Sequence, residues 1–382
     1  MTGKAVTSKD SDPVRRRGLR PRRAVLLGAV SLLLGVSGVA LAANSAFIGS
    51  FNTVTTLTFT APSNGDQNPY GLVTVPRSSG LLVAGQFLIS NFNNAANQQG
   101  RGTTIDEIAP NTTNQPGKAH LFAQIDPAQL PGPCPGGVGL TTALAALPTG
   151  YVVVGSLPTS DGMSGTAQAG CLLVLNSAGR VIETIAGGPI DGPWDMTSVT
   201  TGPITTLFVT NVLNDKGATA GNYGTVVRIR LLTLPGLAPI RLDEDVIAAG
   251  FATTTDPAAL VIGPTGVALS QRGTLYVADT LSNRIVAIPD AMFRESPALG
   301  GFIVTSGGLL SGPLGLAIAP NNNILTANAG DGNIVETTPA GHQLVAKTAD
   351  SAIGAGTLFG LLPGTNGVFF VDDGDNTLRL LH

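Results

Sequence analysis

Gly263-Pro264-Thr265-Gly266-Val267-Ala268-Leu269 opens a stretch that runs through Gly273, then Leu275-Tyr276-Val277-Ala278-Asp279, then Ser282-Asn283-Arg284-Ile285-Val286-Ala287-Ile288. Short apolar, β-branched runs alternate with glycine, proline and asparagine, which predicts three consecutive strands and no helix. The glycines let backbone pack closely where an inner strand begins. Asp279 closes the second run, where a carboxylate can accept turn amides.

The layout recurs downstream. Gly312-Pro313-Leu314-Gly315-Leu316-Ala317-Ile318 leads to Ile324–Asn328 and Asn333–Glu336, and Leu358–Leu362 leads to Val368–Asp372 and Asn376–Leu380. The spacing from glycine to acid or amide is 13 positions from Gly266 to Asp279, 13 from Gly315 to Asn328 and 12 from Gly360 to Asp372. Looser copies lie upstream, where Pro69–Leu72 pairs with Phe87–Asn91, Gly137–Leu140 with Tyr151–Ser156, and Pro193–Met196 with Leu207–Asn211. Six units of several short strands each are what a β-propeller requires.

The run from Pro264 to Ile285 resembles the signature of NHL-repeat six-bladed propellers: Pro-x-Gly, an apolar-apolar-Ala-Asp strand, then Asn-Arg-Ile. The resemblance implies an all-β fold of six four-stranded antiparallel blades over 43–382. The last unit ends after its third strand at Leu380-Leu381-His382, while Val54–Phe59 is a strand with no unit of its own. Placing Val54–Phe59 as the outer strand of blade six closes the ring and removes two exposed edges.

Strands in a blade run alternately up and down, so the inner-strand starts share a face with the loops between second and third strands. Those loops are short in blades four to six, as at Thr280-Leu281-Ser282, but long in the first three: Asn91–Gly102, Leu157–Gly170 and Val212–Gly224. Such inserts on a rigid scaffold are where binding residues gather, although surface loops also tolerate insertion. Their Asn, Gln, Ser and Thr content suits a neutral polar small ligand or a protein. Candidate binding residues are Asn93, Asn94, Gln98, Asp161, Gln168, Asn214 and Tyr223 from the inserts, with Asp195 from the Asp191-Gly192-Pro193-Trp194-Asp195 run. To these are added Asn91, Asn211, Asp279, Asn328 and Asp372, one at each of five second-strand ends. The plainer reading of that recurrence is one repeated turn per blade, with Trp194 packed between blades and Asp195 capping a turn. Asp243-Glu244-Asp245 reads as a solvated turn rather than a cation site.

Cys134 and Cys171 are the only cysteines, and both fall at one end of blade two, which predicts a structural disulfide at the base of the second insert. An alternative is a pair of inert thiols.

Chemistry is harder to find. Gluconolactonase-like hydrolases, which this chain resembles in blade layout, hold a divalent metal through carboxylates and amides near their inner-strand starts. The matching positions here are Tyr70, Val138, Thr265, Leu314 and Phe359, four of them apolar or aromatic, which offer one aliphatic hydroxyl and no carboxylate to a cation that wants six or more oxygens. Streptogramin lyases, also similar in form, rely on a histidine with a carboxylate. The three histidines here are His120 and His342, beside outer-strand starts, and His382. No cofactor, metal site or catalytic residue is therefore assigned.

Composition sets the setting. The chain has 382 residues, 43% hydrophobic and 12% charged, with 50 glycines and 26 prolines, too apolar for a disordered protein. Residues 1–42 carry Lys4, Lys9, Arg15, Arg16, Arg17, Arg20, Arg22 and Arg23 against Asp10 and Asp12, then an apolar run ending in Ala40-Leu41-Ala42. This is the order of an export signal, with Arg22-Arg23 resembling the twin-arginine form, and an uncleaved anchor as the alternative. Without it, 13 of the 21 basic and 22 of the 24 acidic residues remain, a formal charge of −9 that disfavours nucleic acid. The expectation is an exported, periplasmic or extracellular monomer with no membrane contact after signal removal, serving as a scaffold for a protein or polar ligand. The alternative is a propeller lyase or hydrolase with an unrecognised centre.

Overall fold

The computed structural model describes residues 45–110, 119–257, 259–350 and 357–382. The segment read as an export signal, 1–42, lies outside the described residues.

The chain forms a ring of six antiparallel sheets. β1 (Val54–Phe59) precedes blade one, which comprises β2 (Gln67–Thr74), β3 (Phe87–Asn93), β4 (Thr104–Ile108) and β5 (Ala119–Gln124). Blade two follows as β6 (Leu140–Ala146), β7 (Val152–Ser156), β8 (Cys171–Leu175) and β9 (Val181–Ile185). Blade three holds β10 (Pro193–Thr201), β11 (Ile204–Asn211), β12 (Gly221–Leu234) and β13 (Leu237–Asp256), with the short β14 (Leu260–Ile262) folded back on β13. Blade four is β15 (Pro264–Leu269), β16 (Leu275–Asp279) and β17 (Arg284–Ile288), then β18 (Ala298–Leu299), which pairs with β13, and β19 (Phe302–Ser306). Blade five comprises β20 (Pro313–Ile318), β21 (Ile324–Asn328), β22 (Asn333–Thr337) and β23 (Gln343–Thr348). β24 (Leu358–Pro363), β25 (Val368–Asp372) and β26 (Thr377–Leu381) complete the chain.

Blade six takes its outer strand from β1, which pairs antiparallel with β26 from Val54↔Leu381 to Phe59↔Thr377, as the spare strand at Val54–Phe59 predicts. The residues before β1 are pinned as well. Buried Glu336 accepts hydrogen bonds from Phe47 N at 2.8 Å and Ile48 N at 2.9 Å, and Ile48 is fully buried among blade-five and blade-six side chains.

The inner-strand glycines have a steric cause. A Cβ on Gly266 would lie 2.4 Å from Leu314 O in the next blade, and one on Gly360 would lie 2.8 Å from Tyr70 O across the closure. Backbone passes too close there for any side chain, so the motif glycine marks where one blade leans on the next.

Cys134 and Cys171 are bonded, with their Cα atoms 5.2 Å apart, and the bridge ties the loop before β6 to the start of β8. Closing a loop of separation 37 restricts the unfolded chain by about 4 kcal/mol on the chain-entropy account. The reduced protein should therefore show a lower urea midpoint by that free energy, measured with and without reductant; coincident curves would mean the bridge constrains nothing.

Two details differ from expectation. Asp243-Glu244-Asp245 is not a turn but the middle of β13, where Asp243 pairs with Arg230 at 2.8 Å and Asp245 with Arg228 across the strands. Opposite charges on facing strands satisfy one another, so the acidic run needs no turn to solvate it. The third insert is also shorter than read. Gly221–Gly224 already belongs to β12, where register shifts against β13 absorb the glycines as irregular strand.

Candidate functional site

The first strands begin at the insert face with large apolar side chains, just before the motif glycines. Tyr70 stacks on Phe359 with ring centroids 3.7 Å apart and on Phe92 at 4.6 Å; Trp194 stacks more distantly on Phe359 at 6.1 Å. Leu314 joins them, so four blades meet over the axis through apolar groups. Of the five inner-strand positions compared with the metal-binding propellers, Tyr70, Leu314 and Phe359 thus join Trp194 in a plug, whereas Val138 packs in a separate cluster and Thr265 bonds Leu314 O.

A segment that sequence reading missed seals the plug. β13 runs past its blade, turns at Asp256-Pro257, and returns as β14 through Ala259–Ile262, all buried in the same cluster. Trp194 Nε1 donates to Val261 O at 3.0 Å, and Leu260 sits at φ +58°, a left-handed conformation uncommon for a bulky residue. The Thr253-Thr254-Thr255 run, the Asp-Pro pair and Leu260-Val261-Ile262 carry a strand–turn–strand pattern that could have revealed the hairpin.

The hairpin and the first two inserts bond to one another. Thr159 Oγ1 donates to Gln99 O at 2.6 Å, and Thr159 N to Gly100 O at 3.0 Å. Arg101, absent from the sequence candidates, reaches from insert one to the carbonyls of Thr159 and Ser160 in insert two. Gln99 Nε2 donates to Pro257 O, and Ser164 Oγ to Asp256 O at 3.3 Å. Insert three joins through Val212 and Leu213, which bury in the plug beside Ala259–Ile262.

The sequence candidates fall into two groups. Asn91, Asn211, Asp279, Asn328 and Asp372 are fully buried at second-strand ends. Asn91 donates to Asp106 at 2.8 Å; Asn211 Oδ1 accepts the amides of Asp191 and Gly192; Asn328 donates to Leu309 O. Asp279 pairs with Arg284 at 2.7 Å and Asp372 with Arg379 at 3.0 Å. Their polar atoms point into the blades. Insert residues also serve their own loops: Asn93 donates to Asn97, Asn94 to Gln98, and Asn214 to Tyr223 O. Asp161 and Gln168 are the exposed members, while Asn94, Gln98, Asn214 and Tyr223 are half-buried. Thr166 and the Met163 amide donate to the Asp161 carboxylate and hold its pKa below the usual value.

Asp195 lies elsewhere. It is buried on β10 below the plug, accepting from Met196 N at 2.8 Å and, across to blade four, from Val267 N at 3.1 Å. Burial pushes its carboxyl up to about 8. His120 is on outer strand β5, His342 precedes β23, and His382 bonds Thr55. Among the described residues no group of three or more His, Cys, Asp or Glu side chains converges, and no helix is long and apolar enough to cross a membrane.

No protein-family model matches the chain, and no curated protein matches it. Solved structures do. The chain is similar to a luciferin-regenerating enzyme at 10% identity, covering 86% of this chain and 94% of that one with a TM-score of 0.53. It is similar to a gluconolactonase from Xanthomonas campestris at 11% identity, 86% and 88% coverage and a TM-score of 0.51. A virginiamycin B lyase from Staphylococcus aureus matches at 14% identity, 86% and 99% coverage and a TM-score of 0.48. The likeness in blade layout to gluconolactonase-like propellers, read above from the repeat, thus holds in three dimensions as a shared fold.

Proposed function

We propose that this chain is an exported propeller that binds a protein or a neutral polar small ligand on its insert face. One observation carries the reading: segments from three blades are hydrogen-bonded to each other into a polar cap over the apolar plug. Loops tied in this way lose little freedom on binding, which is what a preformed recognition surface needs. The cap presents Asp161, Met163 and Gln168 to solvent. The disulfide suits a place outside the cytoplasm, and the acidic body disfavours nucleic acid as partner.

The test must spare Leu157, Val212 and Leu213, which belong to the core. Asp161→Arg combined with Gln168→Arg alters the exposed cap without touching the plug. Wild-type protein used as bait in periplasmic extract or culture medium should retain a partner that the double variant loses by at least about tenfold, since like or misplaced charge at a contact costs on the order of 1–3 kcal/mol. Equal retention by a variant with an unchanged urea midpoint would refute the reading.

A further inference from the structure

Below the plug, the six inner strands enclose a second feature on the opposite side of the molecule from the cap. A cavity of about 300 Å³ lies on the axis, lined by inner-strand residues from all six blades. Its mouth is at the half-buried strand ends Val73, Leu269, Ile318 and Pro363, beside the turns from first to second strands. At liquid density the space would hold about ten waters, or an organic molecule of similar bulk.

Its walls have a definite chemistry. Each inner strand is hydrogen-bonded on one side only, so six strand edges present N–H and C=O groups towards the axis without a neighbouring strand. Leu144, Met196, Leu316 and Leu361 supply apolar surface. Asp195 is the one titratable or charged side chain that any of the six strands contributes to the lining. Each of its oxygens already accepts one amide, which leaves a further lone pair on each. Thr142, on the adjacent inner strand β6, lines the same cavity and is only 5% exposed, yet its hydroxyl oxygen has no hydrogen-bond partner. A buried hydroxyl left unbonded is costly and calls for a ligand group.

We infer that this axial cavity binds a compact aliphatic primary ammonium ion, with Asp195, Thr142 and a strand-edge carbonyl accepting its three N–H donors. A carboxylate with no cation in its surroundings repels anions and leaves a quaternary ammonium, which has no donors, poorly held. The apolar walls take the hydrocarbon body. Because burial raises the empty site's Asp195 to about 8, its carboxyl is protonated at pH 7. The incoming charge stabilises the carboxylate, so the Asp195 proton leaves to solvent as the ammonium binds.

Cyclohexylammonium is the probe, titrated into the full chain at pH 7 by calorimetry in two buffers of different ionisation enthalpy. Cyclohexanol and the N-trimethylated amine are the controls. The primary amine should bind saturably, about tenfold or more tighter than either control, with close to one proton released per site. Asp195→Asn should weaken it about tenfold and abolish the proton release, and the isosteric Thr142→Val should weaken it about threefold. If Asp195→Asn does not fold, the wild-type proton count and Thr142→Val decide. Cyclohexanol binding as tightly as the amine, binding without proton release, no saturation at millimolar amine, or an unaffected Thr142→Val would each overturn the inference. None of these readouts involves the cap residues, so the outcome is independent of the insert-face reading.

Discussion

A chain truncated to begin at Ala61, without β1 and the residues before it, should fail to reach a monomeric, cooperatively unfolding state. β1 is the whole outer edge of blade six, and removing it bares the backbone of β26 from Thr377 to Leu381. It also cuts away the segment that lets Glu336 bond Phe47 and Ile48, leaving a fully buried carboxylate short of two amide donors. Losing two such charge-assisted bonds costs about 3–6 kcal/mol before any lost packing is counted, against a typical domain stability of about 5–15 kcal/mol. An unpaired edge beside exposed apolar side chains also recruits other chains. Size exclusion should show oligomers, and urea should give a broad transition. A synthetic peptide spanning residues 45–60, added in trans, should restore the monomer by filling the vacant edge. A truncated protein that stays monomeric with the full-length urea midpoint would show that the ring does not depend on this strand.

Stability should fall, not rise, between pH 5 and pH 8. Three buried aspartates and the half-buried Asp373 keep their protons above the usual carboxylate range: Asp195 and Asp373 to about 8, Asp106 to about 7 and Asp372 to about 6. Burial is the chief cause in each; hydrogen bonds from Asn91 to Asp106 and from Asn68 to Asp373, and the Arg379 charge beside Asp372, only partly offset it. Over this range the unfolded chain has released protons that the folded chain still holds. Folded protein therefore binds more protons, and raising pH favours unfolding until each group's folded pKa is passed. Each proton so retained costs about 1.4 kcal/mol per pH unit, which for Asp195 and Asp373 alone amounts to more than about 5 kcal/mol from pH 5 to 8. Urea midpoints at pH 5, 6, 7 and 8 should decline in order, and Asp195→Asn should flatten the slope. A midpoint that climbs with pH would contradict the assignment.

How far the molecule could be read in advance follows from what each feature depends on. The ring, its six blades and its closure were legible because each rests on a local repeat: a glycine where Gly266 and Gly360 press on the next blade, an alternating strand, an acid or amide such as Asp279 at its end. The disulfide was legible because both cysteines flank one blade. The cap was legible only in part. Loop lengths marked three inserts, but nothing local says that Arg101 will reach Thr159 or that Leu213 will turn inward, since both depend on which blades become neighbours. The β13–β14 hairpin escaped because it breaks the repeat, being an extension of an outer strand rather than a unit. Asp195 stood out only as an acid of the Asp191–Asp195 run, with capping a turn as its plainer role; instead it bonds inner-strand amides, in a place set by Trp194, Tyr70 and Phe359 closing above it.

The pairing of β1 with β26 makes closure of the ring wait until β26 has been made. Thr55 finds His382 across a sequence separation of 327, so a nascent chain carries blade six open until β26 has left the ribosome. Contacts this distant in sequence form slowly. Throughout that interval β1 has no partner strand, so its edge stands open while five blades can already have closed on themselves.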